Sequence, residues 1–125
     1  MWAWIVETDS PGTMTTLASR LLAACALGYD TCVLLRLSGA RWLEAPNEWP
    51  PPPVPVQRWL TAQEFPDEGT YWHMTQRTAE PHLYVCTSTL ATLKWSTPPS
   101  PWRSASLTSF LAQAEAAAAR IDWIG

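Results

Sequence analysis

The chain has 125 residues, a formal charge of −3 and an apolar fraction of 47%. That length suits one domain with one real core. With 15% charged residues and nine tryptophans, the composition excludes disorder as the main state. No apolar run approaches the roughly 20 residues a membrane span needs.

Residues 2–7 (WAWIVE) are aromatic and β-branched and predict a strand. Thr8 to Thr13 punctuate, with Ser10 or Thr13 as the expected cap of a helix. From Met14 the apolar positions Met14, Leu17, Ala18, Leu21, Leu22 and Cys25 form a helical stripe, and Gly28 stands where a terminating glycine belongs. Residues 31–37 (TCVLLRL) predict a buried strand. Ser38-Gly39 reads as a tight turn, with residues 40–45 as the antiparallel partner. Six prolines in residues 46–56 predict an extended strap across the surface. Residues 57–65 read as a strand or short helix. Pro66 to Gly69 read as a turn, residues 70–77 (TYWHMTQR) as an alternating strand, and residues 82–95 as one or two further strands. From Ser104, the stripe Leu107, Phe110, Leu111, Ala114, Ala118 and Ile121 predicts a closing helix. The expected architecture is one α+β domain over residues 1–125. It has a mainly antiparallel sheet of five to six strands and two helices on one face, in the order β-α-β-β-β-β-β-α.

Seven arginines and one lysine face eleven carboxylates with no basic stripe, which argues against a duplex DNA binder and against cationic steering onto a membrane. Cys25, Cys32 and Cys86 are odd in number and have no CxxC spacing, so they read as reduced thiols of a cytoplasmic protein. The first residues lack the features of a signal peptide. His82 and Cys86 lie four apart on one predicted strand face, with His73 on a neighbouring strand and Glu80 as the nearest carboxylate. Together they raise a small Cys-dependent enzyme as one reading. Two histidines and three scattered cysteines do not make a zinc site, and no cofactor motif occurs. The segment Ser10-Pro11-Gly12-Thr13 could meet an anion at a helix start, although a simple cap explains it. Asp67 and Glu68 read as turn residues. Pro52 and Pro55 supply a P-x-x-P, which packing against Trp49 and Trp59 explains as well.

Nine tryptophans exceed what one small core needs. Tryptophan and arginine anchor interfaces and stack on single-stranded bases. Trp49, Arg58, Trp59, Trp72, Arg77, Trp95, Trp102 and Arg103 are therefore the expected contact surface for partner proteins. The expected function is non-catalytic binding within a larger assembly. A small immunity or inhibitor protein acting on one partner is the alternative.

The segment Leu27 to Val85 resembles a small accessory subunit of type III CRISPR effector complexes. The likeness is carried by Gly28-Tyr29-Asp30-Thr31-Cys32-Val33-Leu34-Leu35, by Ser38-Gly39-Ala40-Arg41-Trp42, and by Arg58 to Phe65 with Pro66 to Gly69 and Thr70-Tyr71-Trp72-His73 after it. Pro66 stands where that family's turn has glycine, Thr70 does not supply its acidic residue, and the alanine-rich end has no counterpart. The resemblance implies a non-catalytic subunit packed against other proteins and guide RNA in antiviral defence. It carries over no catalytic residue.

Overall fold

The computed structural model describes residues 1–125. Strands β1 (Trp2–Val6), β2 (Thr31–Leu35), β3 (His82–Cys86), β4 (Arg103–Ala105) and β5 (Arg120–Ile124) form one sheet in the order β4-β3-β2-β1-β5. Every neighbouring pair is parallel. The antiparallel sheet expected from the sequence is thereby corrected. The strands WAWIV and TCVLL are buried along almost their whole length, as continuous apolar strands of a parallel sheet are.

Parallel strands need crossovers, and helices supply them. Helices α1 (Thr13–Ala26), α2 (Val54–Ala62), α3 (Glu68–Ala79) and α4 (Thr87–Thr92) precede the step to β5, and α5 (Leu107–Ala116) makes that step. From β1 to β4 the chain moves steadily in one direction across the sheet. Right-handed crossovers then keep their helices on one face. Accordingly, side chains of α1, α2, α3 and α4 join Trp4, Val6, Val33, Leu35, Leu83 and Val85 in the larger core. The return from β4 to β5 runs the opposite way, so α5 lies on the other face. There Phe110 packs with Ala3, Ile5, Cys32, Leu34 and Cys86. Helices thus cover both faces, not one.

The first helix forms as its stripe predicts. Gly28 takes φ +87°, and the N–H groups of Gly28 and Tyr29 donate to the carbonyls of Cys25 and Ala24 at 2.9 and 3.0 Å. That is a Schellman closure, for which glycine has no side-chain penalty. Later elements differ from the expected strands. Residues 70–77 are helical because Asp67, expected in a turn, is an N-cap. Its Oδ1 accepts from the Thr70 backbone N–H at 2.7 Å. Tyr71, Trp72 and Thr75 then fall on one buried helix face. Residues Leu37–Leu43 form a 3-10 helix instead of a hairpin. Its Gly39 lies against the Val6 carbonyl with no room for a Cβ. In the expected strap, only residues 49–53 are extended, between a 3-10 turn (Pro46–Glu48) and α2, which begins at Val54. Residues 57–62 continue α2, and residues 82–95 split into β3 and α4. The expected closing helix divides into β4, α5 and β5, with Ala118 at φ +50° ending α5. The alanines favour helix locally, but Ile121 and Ile124 complete β1's ladder instead.

Candidate functional site

In a parallel sheet all strands end at one edge, so residues just past the last pairs are brought together. Val6 pairs with Leu35, and Leu35 with Val85. The Arg36 N–H still donates to the Val6 carbonyl at 2.9 Å. Glu7, Arg36 and Cys86 therefore make the next row across three adjacent strands. Ile5, Leu34 and Cys86 face α5, and side chains alternate along a strand, so the whole row faces that side. Arg36 Nη1 pairs with Glu7 Oε2. Arg36 is the neighbour of Cys86 in this row and helps to lower its thiol, and Ser88 Oγ lies 3.2 Å from Cys86 Sγ.

The two buried thiols of the sheet have opposite chemistry. Burial pushes the Cys86 thiol up, but hydrogen bonds from the Ser88 side chain, the Thr89 and Ser88 backbone N–H groups and Arg36 outweigh it. The thiol is lowered to about 7. Cys32 has no such partners, and burial pushes it up to about 11. A thiolate is the nucleophilic form of cysteine, so Cys86 alone of this pair is poised to react near neutral pH.

Two adjoining hollows open at the same edge. One, of about 380 Å³, is lined by Leu37, Ser38, Ser88, Thr89, Thr92 and Leu93. The other, of about 390 Å³, shares Leu37, Ser38 and Leu93 and adds Asp9, Ala40, Arg41, Glu44 and Trp95. Leu37, Leu93 and Trp95 are exposed along this groove. Thr89 Oγ1 accepts from the Leu37 N–H at 3.1 Å, tying the end of β2 to α4. Cys86 itself is 2% exposed. Its link to the groove is Ser88, which lines the first hollow and lies against the sulfur.

The reversal of strand order between β1 and β5 is where open α/β sheets usually take ligands. Here the start of α1 at that edge is already occupied. Neither Ser10 nor Thr13 caps it through a side chain. Glu68, the first residue of α3, does so: its Oε2 accepts from the Thr15 N–H at 2.8 Å and from Thr15 Oγ at 2.7 Å. The chain's own carboxylate thus takes the place an anion would. Glu68 is buried, and Oε1 has no partner. Burial raises its pKa above the ordinary value, against the lowering effect of the Thr15 bonds. The native state therefore keeps this proton to higher pH than the unfolded chain does. The stability this group contributes is full below the unfolded value and falls as pH rises through the native one. Glu68→Gln keeps the acceptor without the charge and should flatten that fall. Glu68→Ala orphans the Thr15 N–H and should cost about 1–2 kcal/mol. Urea unfolding on the acid and neutral sides of the carboxylate range reads both effects.

The eight residues expected to form one contact surface are dispersed. Trp49, Trp72 and Trp102 are 8%, 3% and 8% exposed and belong to the core. Trp49 donates through Nε1 to the Glu44 carbonyl at 2.9 Å. Trp72 stacks on Trp102 with centroids 6.3 Å apart. Arg58 and Trp59 lie on α2, Arg77 near the end of α3 and Arg103 on the edge strand β4. Trp95 alone lies on the groove. The His82–Cys86 pair does not form. Both face the same side of β3 but stand at its opposite ends, about 13 Å apart at strand spacing. His73 is exposed on α3, and Glu80 caps that helix's end. The sequence reading does not single out Glu7, Arg36 or Ser88. Their signal is that Glu7 and Arg36 each directly follow an apolar strand, which gains meaning only once β1, β2 and β3 are parallel.

No helix is long and apolar enough to cross a membrane. The fold and this edge define the class: a single parallel sheet with helices on both faces and a cysteine, an arginine and a glutamate in one row past its strand ends. Compared with known proteins, the chain matches no family model, and no curated protein matches it significantly.

Proposed function

We propose that this protein is a thiol-dependent group-transfer protein acting through Cys86. The Cys86 thiolate attacks a sulfur atom of an incoming disulfide or persulfide. A new S–S bond forms at Sγ, and the donor's other sulfur leaves as a thiolate with the bonding pair. A second thiolate then attacks the adduct, takes the group and returns Cys86 to its thiolate form.

The observation that carries this reading is the row Glu7–Arg36–Cys86, with Ser88 against the sulfur. The surroundings narrow the chemistry. No histidine stands beside Cys86, and amide hydrolysis needs a group to protonate its leaving amine. Sulfur exchange needs none, because a thiolate leaves unprotonated. No second cysteine is in reach either. Cys32 stands opposite His82, at the far end of the sheet, and Cys25 lies on α1, on the other face. The resolving thiol is therefore external. The exposed apolar rim of Leu37, Leu93 and Trp95 supports a protein as the bearer of the group, which keeps the expectation of a protein partner while making the protein a reactant.

The test is to treat the native protein with glutathione disulfide and with inorganic polysulfide, then locate adducts by peptide mass mapping. The expected result is an adduct on Cys86 ahead of Cys25 and Cys32, released by added thiol and absent in Cys86→Ser. Adducts confined to Cys25, or none at all, would overturn the reading.

A further inference from the structure

We infer that Arg36, held in place by Glu7, makes the site selective for donors whose reacting group carries a negative charge. This inference deepens the group-transfer reading and depends on it. Three observations carry it. Arg36 Nη1 is committed to Glu7, which fixes the guanidinium at the strand ends. Arg36 also stands next to Cys86 in the row past the strand ends, on the same side of the sheet. Its Nε N–H is buried with no acceptor, which is a donor left without use in the resting protein.

Charge balance gives that donor a purpose. In the resting site Arg36 faces two anions, the Glu7 carboxylate and the Cys86 thiolate. When Sγ forms a bond to an incoming group, it loses its negative charge. A neutral adduct leaves the guanidinium with Glu7 as its one ionic partner and its buried Nε N–H still without an acceptor, and an unmet buried donor is disfavoured. An adduct with its own negative charge beside Sγ, such as a persulfide or a carboxylate, restores the pairing and offers Nε an acceptor. The planar fork of arginine suits such an arrangement. The other charges of the groove, Asp9, Arg41 and Glu44, pair among themselves at its far end, so they do not supply this preference.

Two alkylating reagents of similar size separate charge from access. Iodoacetate is anionic and iodoacetamide neutral. With both, the thiolate forms a C–S bond while iodide leaves with the bonding pair. The rate ratio at Cys86, read by peptide mapping above about pH 8 where the thiolate predominates, is the measurement. In the native protein the iodoacetate-to-iodoacetamide ratio should exceed that of the same cysteine in urea-unfolded chain by about fivefold, the scale of one partly screened ion pair. Arg36→Gln should bring the native ratio down to the unfolded one, and Arg36→Lys should restore part of it. Equal ratios in native and unfolded protein would overturn the inference even if Arg36→Gln does not fold. A Cys86 that reacts with neither reagent in the native state would instead overturn the group-transfer reading beneath it.

Discussion

Trp72→Ala should lower the free energy of unfolding by about 3–5 kcal/mol, the cost of emptying a buried aromatic site in a close-packed core. Trp72 is 3% exposed on α3 and stacks on Trp102 with an interplanar angle of 17°. Removing its ring deletes both the transferred apolar area and the contacts of the cavity walls. Trp95→Ala is the control. Trp95 is 38% exposed at the groove, and its loss should change stability by less than about 1 kcal/mol. Urea unfolding of both variants separates the core from the contact surface on which the sequence placed both residues. Equal, small losses would mean that Trp72 is not packed in the core. A Trp72/Trp102 double-mutant cycle should add a coupling of about 0.5–1.5 kcal/mol for the aromatic pair.

The second large effect is chemical. With its thiol lowered to about 7, Cys86 is about half thiolate at neutral pH, whereas an ordinary thiol is only a few per cent ionised. A thiolate of lower pKa is also a weaker nucleophile, by about threefold per unit. The two factors oppose each other, and ionisation wins by a factor of a few. Against Cys32 the difference is far larger. Cys32 is pushed up to about 11, which leaves roughly one thiolate in 10⁴ at neutral pH by the same relation. After the weaker intrinsic nucleophilicity of the lower-pKa thiolate is set against this, native-state iodoacetamide labelling near neutral pH should modify Cys86 about fiftyfold faster than Cys32. Comparable rates at the two positions would contradict the contrast between their environments. Ser88→Ala should raise the pH at which labelling becomes fast, since it removes a hydrogen bond to the thiolate.

The parts of the fold that were legible in the sequence are those fixed by nearby residues. The stripe from Met14 to Cys25 and the glycine at 28 specify α1 and its end. The apolar runs at 2–7 and 31–37 specify β1 and β2. The sheet's direction was not legible in the same way, although the unbroken apolar runs hinted at it. It depends on β5 returning from the far end of the chain to pair with β1, and local alternation says nothing about that. Residues 70–77 alternate polar and apolar as a strand would. The decision for helix came from Asp67 capping Thr70 and from the burial of Tyr71, Trp72 and Thr75 on one side.

The candidate site was less legible still. Counting tryptophans shows that the chain carries much aromatic area, but not which rings face water. Trp42 and Trp49 pack edge to face at 5.2 Å, and their indole N–H groups reach the Thr8 and Glu44 carbonyls. A core can thus absorb more tryptophan than its volume alone suggests, because loop carbonyls satisfy the indoles. In the sequence Cys86 stands out for its spacing from His82, which the fold turns into a separation along a strand. Its real neighbours come from just past the end of β2 and from the first turn of α4, with Glu7, just past the end of β1, holding Arg36. The alignment of Glu7, Arg36 and Cys86 is a property of register, and register appears only when the sheet is assembled.

Cys86 as a stabilised thiolate at the edge of a parallel sheet is the feature on which the proposed chemistry rests. Its most direct test is the ultraviolet absorbance of the thiolate followed against pH, wild type minus Cys86→Ser. A single ionisation with a midpoint of about 7 is expected. A midpoint at or above the ordinary thiol value would contradict it, and would return Cys86 to the core as a packed, inert side chain.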